Sequence, residues 1–285
     1  ITYFTGNHKI TAGLTYEYQM ADNAYMRNGT GYYRYASLED FLNQAAPETV
    51  CLTYGYMKDG KFEENPAARV RYHQIGAYAQ DEWTPVENFK LTYGLRLDAL
   101  AFDNQDLMTN NAILAVDYNG KNIDTGKWPT TKLRVAPRVG FTWDVLGDKS
   151  LKVRGGTGVF SGRLPLVFFT NMPTNSGMVQ YQAKLGETQT IIPGYTGAFI
   201  EKSGKNYYDM NEFAGGLLKR EELLAKLTSL GFPNTISPED GTVPSEISAV
   251  DPKFKMPQVW KTSLAIDYNF PTSFPFSISA EGIFN

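Results

Sequence analysis

Apolar and polar residues alternate along this chain in several separate segments. From Ile10 to Met20 every second residue is apolar, and the residues between them are polar or glycine. Because successive side chains of a β-strand point to opposite faces, such a segment has one apolar and one polar face. The pattern predicts seven strands, near residues 9–20, 69–83, 89–101, 133–145, 151–160, 258–270 and 276–285, preceded by a strand stub at 1–4.

The connections between these strands alternate between short turns and long loops. The long loops cover residues 21–68, 102–132 and 161–257. Outer-membrane barrels have this alternation because their periplasmic turns are tight and their extracellular loops are long. Aromatic residues also gather beside the short turns, as in an interfacial girdle: Trp83, Phe89, Trp143, Phe270 and Phe276. The alternative is a soluble β-sandwich in which these aromatic residues form the core.

Composition narrows the function classes. No stretch of eighteen apolar residues occurs, which excludes a membrane-spanning helix. The mean hydropathy of -0.34 is compatible with a barrel, because alternation hides its apolar residues. The net charge of -3 does not favour a nucleic-acid partner. Cys51 is the single cysteine, so an intrachain disulfide is impossible.

The sequence therefore predicts an all-β fold, part of an antiparallel transmembrane β-barrel with long extracellular loops. We interpret residues 1–285 as one partial barrel domain, an excerpt of a longer protein at both ends, since strand patterns reach Ile1 and Asn285. One residue departs from the pattern. Strict alternation puts Asp81 on the lipid side, which predicts either a position near the membrane interface or a β-bulge that shifts the register.

The long loops contain two helix patterns. Ser37 followed by Asp40 is a capping arrangement for one or two helical turns. Within 161–257, which has no strand pattern, Glu221–Leu227 followed by Gly231 predicts an amphipathic helix near 219–230. We expect this loop to form an ordered extracellular lid, with Leu223, Leu224 and Leu227 packed inward. A flexible loop is the alternative.

Catalytic chemistry has little support in the sequence. Of the two histidines, His8 falls in a predicted turn and His73 near the extracellular end of a strand, and no Ser/His/Asp grouping is visible. We therefore predict that the chain is not an enzyme and has no cofactor. The run Gly155–Gly158 lacks the lysine of a phosphate-binding loop. The acidic segment Asp103–Asp106 could hold Ca²⁺, although a plain loop is the simpler interpretation.

Charged residues with inward alternation are candidates for the barrel lumen. In a plugged barrel they would pair with each other or with the plug, and direct contact with a ligand is the less favoured role. They are Glu17, Glu82, Arg96, Asp98, Arg138, Asp144, Lys152, Arg154, Lys261, Asp267 and Glu281. Ligand contacts are expected instead at loop tyrosines, which offer stacking and hydrogen-bonding surfaces. These are Tyr32, Tyr33, Tyr35, Tyr181, Tyr195, Tyr207 and Tyr208.

Five motifs occur in the order found in a known family. Ser37–Leu42 resembles its Ser-Leu-x-Asp-Phe-Leu loop element, and Gly76–Trp83 resembles its Gly-x-Tyr-x-Gln-Asp-Glu-Trp strand. The other three are Leu91–Asp98, Pro137–Phe141 and the glycine-rich strand Val153–Arg163. The chain thus resembles the TonB-dependent outer-membrane receptors, specifically the Oar-like branch with a carboxypeptidase-regulatory-like N-terminal domain. The likeness covers almost the whole chain.

The resemblance implies a barrel of about 22 strands that encloses a folded plug. It also implies a TonB box that reaches the periplasm, and neither the plug nor the box lies within these residues. The expected function is TonB-dependent import of a large substrate, such as a peptide, a protein fragment or a glycan. The expected partners are outer-membrane lipid, the TonB energy-transducing complex and the substrate, in the outer membrane of a Gram-negative bacterium. A passive porin and an outer-membrane adhesin or structural protein are the alternatives.

Overall fold

A computed structural model describes residues 1–163, 165–186, 188–244 and 246–285. Most of its elements are strands. In chain order they are β1 (Thr2–Thr5), β2 (His8–Asn23), β3 (Tyr32–Arg34), α1 (Leu38–Leu42), β4 (Thr49–Gly55), β5 (Met57–Lys58), β6 (Lys61–Phe62), β7 (Ala68–Val86), β8 (Phe89–Asp103), α2 (Asn111–Ala115), β9 (Lys132–Asp144), β10 (Leu151–Ser161), α3 (Val167–Thr174), β11 (Gln180–Gly186), β12 (Phe199–Lys202), β13 (Lys205–Tyr208), α4 (Arg220–Ser229), β14 (Gln258–Phe270) and β15 (Phe276–Phe284). None of the helices in these residues is long and apolar enough to cross a membrane.

Eight strands form the main sheet, in the order β1-β2-β7-β8-β9-β10-β14-β15. Every neighbouring pair is antiparallel. All seven strand segments expected from alternation lie in this sheet, and the stub corresponds to β1. Strand β2 extends to Asn23 and β7 reaches Val86, so both are longer than the alternation indicated. Short turns connect the strands at one end of the sheet and long segments connect them at the other.

The register gives the sheet an apolar face and a polar face, which are the names used below. Leu14 lies opposite Ala77, and Ala77 lies opposite Leu97 on the next strand. On this apolar face Leu14 is 85% exposed and Ile75 is 54% exposed. Exposed apolar side chains in a continuous row suit contact with lipid, since hydrocarbon replaces the protein core as their surroundings.

The long segments contain strands that alternation did not reveal. A second sheet has the order β11-β4-β3, and β5–β6 and β12–β13 form two hairpins. The interpretation of 161–257 as a segment without strands is therefore wrong, and loop 21–68 likewise contains strands. All seven residues of β4 are buried. A strand that is buried on both faces has no polar alternation, which is why its sequence gave no signal.

A hydrophobic core, here called the loop core, forms outside the main sheet. It includes Leu52 and Tyr54 of β4, Leu185 of β11, and residues of α4. The helix expected near 219–230 is present as α4, and Leu223, Leu224 and Leu227 are buried as predicted. The backbone N–H of Lys219 donates to Glu222 Oε2 at 2.9 Å, which caps the start of the helix. Gly231 has φ +91° and follows its end, a conformation that favours glycine.

A second cluster, here called the rim cluster, covers part of the polar face. Val70 and Tyr72 of β7 and Leu100 of β8 lie on this face near its long-loop end. Phe169 and Met172 of α3 pack on them, and the cluster is completed by Trp128 and Met256. Segments from two long loops therefore lie over one end of the polar face and close it from that side.

Asp81 stays on the apolar face. It lies opposite Ile10 and Tyr93, and the irregularity between Trp83 and Val86 falls beyond it, so that no bulge shifts its register. Its position near the short turns corresponds to the interfacial expectation. His8 is the first residue of β2, so its predicted position in a turn is wrong, and its ring stacks on Trp83 with centroids 5.7 Å apart.

Candidate functional site

The polar face brings together all eleven charged residues that alternation singled out. The register shows which side chains share this face, because opposite residues of neighbouring strands point to the same side. Glu82 lies opposite Thr92, Thr92 opposite Gly140, and Gly140 opposite Gly156. On β14, Lys261 and Asp267 lie on this same polar face. A shared face does not itself assign a role, which depends on the contacts of each charged group.

The centre of the polar face holds an almost fully buried carboxylate. Asp98 is 2% exposed and accepts from Arg96 through Nε at 3.0 and 3.1 Å and through Nη2 at 2.8 Å. The same Nη2 donates to Thr15 Oγ1 at 3.2 Å. Gly76 leaves room for this cluster, since a Cβ there would lie 2.6 Å from Arg96 Nη2. Both residues of this pair belong to β8, and the bond from Arg96 to Thr15 reaches past β7 to β2.

Two further ion-pair groups lie towards the short turns. Arg154 Nε is 3.0 Å from Asp267 Oδ2, and its Nη1 is 3.6 Å from Glu281 Oε1. Lys9 Nζ donates to Glu82 Oε1 at 3.0 Å. The pairs with Asp267 and Glu82 join neighbouring strands, and the one with Glu281 reaches past β14 to β15. All are half-exposed, so each adds little to stability by itself.

Glu17 links the sheet to a loop. Arg163, just beyond the end of β10, donates from Nη1 to Glu17 Oε1 at 3.0 Å. Gln19 also donates to Glu17 and accepts from the hydroxyl of Tyr72, a residue of the rim cluster. The carboxylate therefore lies in a chain of polar contacts that runs from the polar face to the loop cover.

The remaining candidates have other surroundings. Asp144 accepts the backbone N–H groups of Gly147 at 3.2 Å and Lys149 at 2.9 Å, and so stabilises a short turn. Arg138 lies over the ring of Phe160, 5.5 Å from its centroid. No ion pair within the described residues is formed by Lys152 or Lys261, which lie on the same face.

His73 lies on the apolar face, at the opposite end from the short turns. Tyr16 and Tyr18 contact its ring, and the Tyr16 hydroxyl is 2.8 Å from His73 Nδ1. Amphipathic rings at this level suit a second interfacial belt, with the first near Trp83 at the other end of the same strand. Ten residues of strand separate His73 from Trp83, which at about 3.3 Å per residue and the tilt of barrel strands spans roughly the 25 Å apolar band of such barrels.

Four of the seven loop tyrosines pack in or against the loop core, and three do not. Tyr208 is 1% exposed, and its hydroxyl accepts from the Ile192 N–H at 3.0 Å, so its assignment to a ligand surface is wrong. Tyr33, Tyr181 and Tyr195 pack against the same loop core. Burial raises the pKa of both Tyr181 and Tyr195 to about 12, because the phenolate would lose its water. The sequence analysis assigned these rings to ligand contact and did not predict that they pack in a hydrophobic core.

The other three tyrosines lie outside the loop core. Tyr32 is 37% exposed, and Tyr207 lies in the β12–β13 hairpin. Tyr35 makes an edge contact with Phe41 of α1, with ring centroids 5.5 Å apart. Ser37 caps α1 as expected, since its hydroxyl accepts from the Asp40 N–H at 3.0 Å. Of the seven loop tyrosines, only Tyr208 is buried so fully that it has no surface to offer a ligand.

The acidic segment after β8 uses its oxygens within the protein. Asp103 Oδ1 accepts from the Gln105 N–H at 3.0 Å, and Asp106 Oδ2 is 2.8 Å from Arg71 Nη1. In the part of the chain that the structure describes, no group of three or more His, Cys, Asp or Glu residues is arranged to hold a metal ion.

Sequence reasoning missed three cations at the loop-covered end of the polar face. They are Lys132, Arg134 and Lys255, which line one cavity together with apolar residues. Arg134 lies opposite Asp98 in the register, so continuing the alternation of β9 towards its start would have placed it on the polar face. Lys255 comes from a loop more than a hundred residues later, and its position had no sequence signal.

A sheet of long antiparallel strands with one exposed apolar face, one charged face and loops of opposite length at its two ends is the membrane sheet of a β-barrel protein. Comparison with protein families agrees, because the model of the outer membrane beta barrel domain matches residues 1–280. The chain belongs to this family. Comparisons with curated proteins and with solved structures give no match.

Family membership places the chain in the outer membrane of a Gram-negative bacterium, where its apolar face contacts outer-membrane lipid. The all-β, antiparallel barrel fold predicted from alternation is thereby confirmed. The polar face is then the side that points to the barrel lumen, and the long loops extend from the extracellular end.

Proposed function

We propose that this chain is part of a TonB-dependent receptor that imports a large substrate through the outer membrane. The observation that carries the proposal is the cover over the polar face, where Phe169 and Met172 of α3 pack on Val70 and Tyr72. Ordered loops that cover the lumen from outside suit a receptor, because a receptor binds its substrate before transport begins. A freely conducting pore needs an open water path instead.

Two further features support this proposal. Within the described residues β1 and β15 are the two edges of the main sheet, and an unpaired edge is not tolerated in lipid. Additional strands must pair with them, which suits the barrel of about 22 strands implied by the resemblance to Oar-like receptors. Lys152 and Lys261 have no ion-pair partner among the described residues, and an acidic surface of a plug would supply one.

In this proposal the chain acts by binding and transport, without an enzymatic step or a cofactor. Coupling to the TonB complex would pass through a plug and a TonB box outside these residues. A peptide, a protein fragment and a glycan remain the candidate substrates.

Transport assays in cells test the proposal. Cells that express the full-length protein would receive fluorescently labelled peptide and glycan pools, with and without the gene for the energy-transducing partner. We expect accumulation of one pool that requires both the receptor and the partner. Uptake that is unchanged without the partner would overturn energised import and indicate a passive porin.

An adhesin is the second candidate, because α1 exposes three apolar side chains away from the main sheet. Leu38 is 71%, Phe41 44% and Leu42 69% exposed. A surface of this kind marks a site for contact with another macromolecule. Attachment of cells to host or matrix proteins that is lost on substitution of these residues, with no uptake in any background, would favour the adhesin.

A further inference from the structure

A small cavity lies between the polar face and the loops that cover it. Phe102 of β8 and Phe254 of the long loop after β10 form apolar walls, and Lys132, Arg134 and Lys255 bring positive charge to it. We call this cavity the cation pocket. The described residues place no carboxylate in its lining.

Contacts between the loop after β8 and the loop after β10 hold the pocket together. The Thr130 N–H donates to the Pro252 carbonyl at 3.3 Å, and Lys121 Nζ is 3.1 Å from Asp251 Oδ2. Thr130 and Lys255 are exposed at the mouth, while Met256 is buried inside. The pocket is therefore formed by the cover itself and would open when these loops separate.

Arg134 is the unusual group in the pocket. It is 5% exposed, and its buried Nη1 has no hydrogen-bond partner. A buried donor without a partner loses its bonds to water, and the cost in free energy is greater when the donor is charged. Native proteins contain few such groups, and each calls for a physical reason.

The carboxylate of Asp98 attracts this charge but forms no ion pair with Arg134 within the described residues. Asp98 faces Arg134 across the β8–β9 register, but its two oxygens are bound by Arg96. Lys132 and Lys255 form no ion pair within the described residues. Asp98 thus already serves Arg96, and no carboxylate among the described residues lines the pocket.

The dimensions of the pocket restrict which anion it can hold. The cavity has a free volume of about 10 Å³, which is about the room that one water molecule needs. One carboxylate oxygen fits this space, beside the unpartnered Nη1 of Arg134. A guanidinium N–H donates to a carboxylate oxygen in a charge-assisted hydrogen bond, which is stronger than a hydrogen bond between neutral groups.

We propose that the cation pocket binds a carboxylate group, with Arg134 as the donor and Lys132 and Lys255 as attracting charges. On the basis of the proposed import function, this carboxylate belongs to the substrate, as the C-terminus of a peptide or the acid group of a glycan. A free small carboxylate has the same chemistry. Binding would neutralise the buried guanidinium and hold the two loops over the lumen.

Binding to the purified full-length protein in detergent tests this site without any uptake. Calorimetric titrations would use tetra-alanine, its C-terminal amide and acetate. We expect the peptide acid to bind at least about tenfold more tightly than the amide, because the charge-assisted hydrogen bond is lost. Arg134→Gln should abolish this preference and Lys255→Gln should weaken it at low salt. Lys61→Gln, a cation of the exposed β5–β6 hairpin, is the matched control and should have no effect.

The outcomes separate the ligand sources and the two proposals. Acetate that binds as tightly as the peptide acid would identify a free carboxylate as the ligand and supports the site. Equal binding of acid and amide, or a folded Arg134→Gln protein that keeps the preference, overturns it. Where Arg134→Gln does not fold, an unchanged preference in Lys255→Gln at low salt overturns it. Carboxylate binding without partner-dependent uptake would instead contradict only the proposed import.

Discussion

His8 Nδ1 lies 2.7 Å from Asp81 Oδ2 on the apolar face, between neighbouring strands β2 and β7. From the other neighbour, β8, the hydroxyl of Tyr93 donates to the same oxygen at 2.8 Å. One carboxylate therefore connects three strands near the short turns. These contacts explain how an acidic residue occupies a face that is otherwise apolar, since a charge near lipid is tolerated at the interface and with partners.

Replacement of this carboxylate should weaken the barrel. Asp81→Ala leaves His8 and Tyr93 without their common acceptor on the apolar face, so the urea midpoint of unfolding of the full-length protein in lipid vesicles should fall. Glu87→Ala, in the exposed turn between β7 and β8, is the control and should leave the midpoint unchanged. An Asp81→Ala protein as stable as the parent would show that the contacts do not stabilise the sheet.

The loop core should unfold without the barrel when α4 is weakened. Leu227 is fully buried, and Leu227→Ala removes its packing at a cost of about 2–5 kcal/mol. We expect rapid cleavage in 188–244 when intact cells are treated with protease, while the heat-modifiable barrel band in gel electrophoresis persists. Leu217→Ala changes a residue that is 59% exposed and should keep the protection of the parent. Equal cleavage of both variants would contradict an independent loop core.

Close strand contact makes one glycine of the sheet hard to replace. A Cβ at Gly94 would lie 2.7 Å from the Ala79 carbonyl oxygen, whereas one at Gly282 would have no atom within 4 Å. Gly94→Ala requires the β7–β8 pair to separate, because backbone cannot turn aside as a side chain can. We expect a smaller folded fraction of Gly94→Ala than of Gly282→Ala in outer-membrane extracts. Equal folded fractions would show that the strands adjust freely.

Alkaline pH should weaken the loop core. The pKa of Tyr181 is raised to about 12 by burial and then by Tyr208, above the value of about 10 in an unfolded chain. The folded state then holds this proton more tightly, so its contribution to stability is complete below about pH 10 and is lost as the pH rises towards 12. Hydrogen exchange of β4 and β11 amides, corrected for base catalysis, should report this loss. Tyr181→Phe should reduce the slope, and an equal slope in both proteins would contradict the assignment.

Alternation predicted the main sheet because each of its strands has one face in lipid and one facing polar groups. The same reasoning failed for β4, whose residues Thr49–Gly55 are all buried, since such a strand has no period of two. Its partner β11 lies far along the chain, and pairing at that separation has no local signal. Helix α4 was predictable, because Leu223, Leu224 and Leu227 form a helical stripe that ends before Gly231.

The candidate site was only partly visible in the sequence. The alternation of polar and apolar residues placed Arg96 and Asp98 on one face, but the contact between them depends on side-chain conformation. Tyr208 was assigned to the surface because aromatic loop residues often bind ligands, whereas tertiary packing used its ring as core. The cation pocket depends on Lys255 folding back over β9, which only the loop conformation reveals.

The pairing of β4 with β11 also constrains the order in which the protein assembles. Gln182 donates to Thr53 at 3.3 Å although 129 positions separate them, and the strands β7 to β10 lie in between. Both partners must reach the cell exterior before they can meet, and contacts so distant in sequence form slowly. The second sheet is therefore completed late, after the four strands β7 to β10 have entered the membrane.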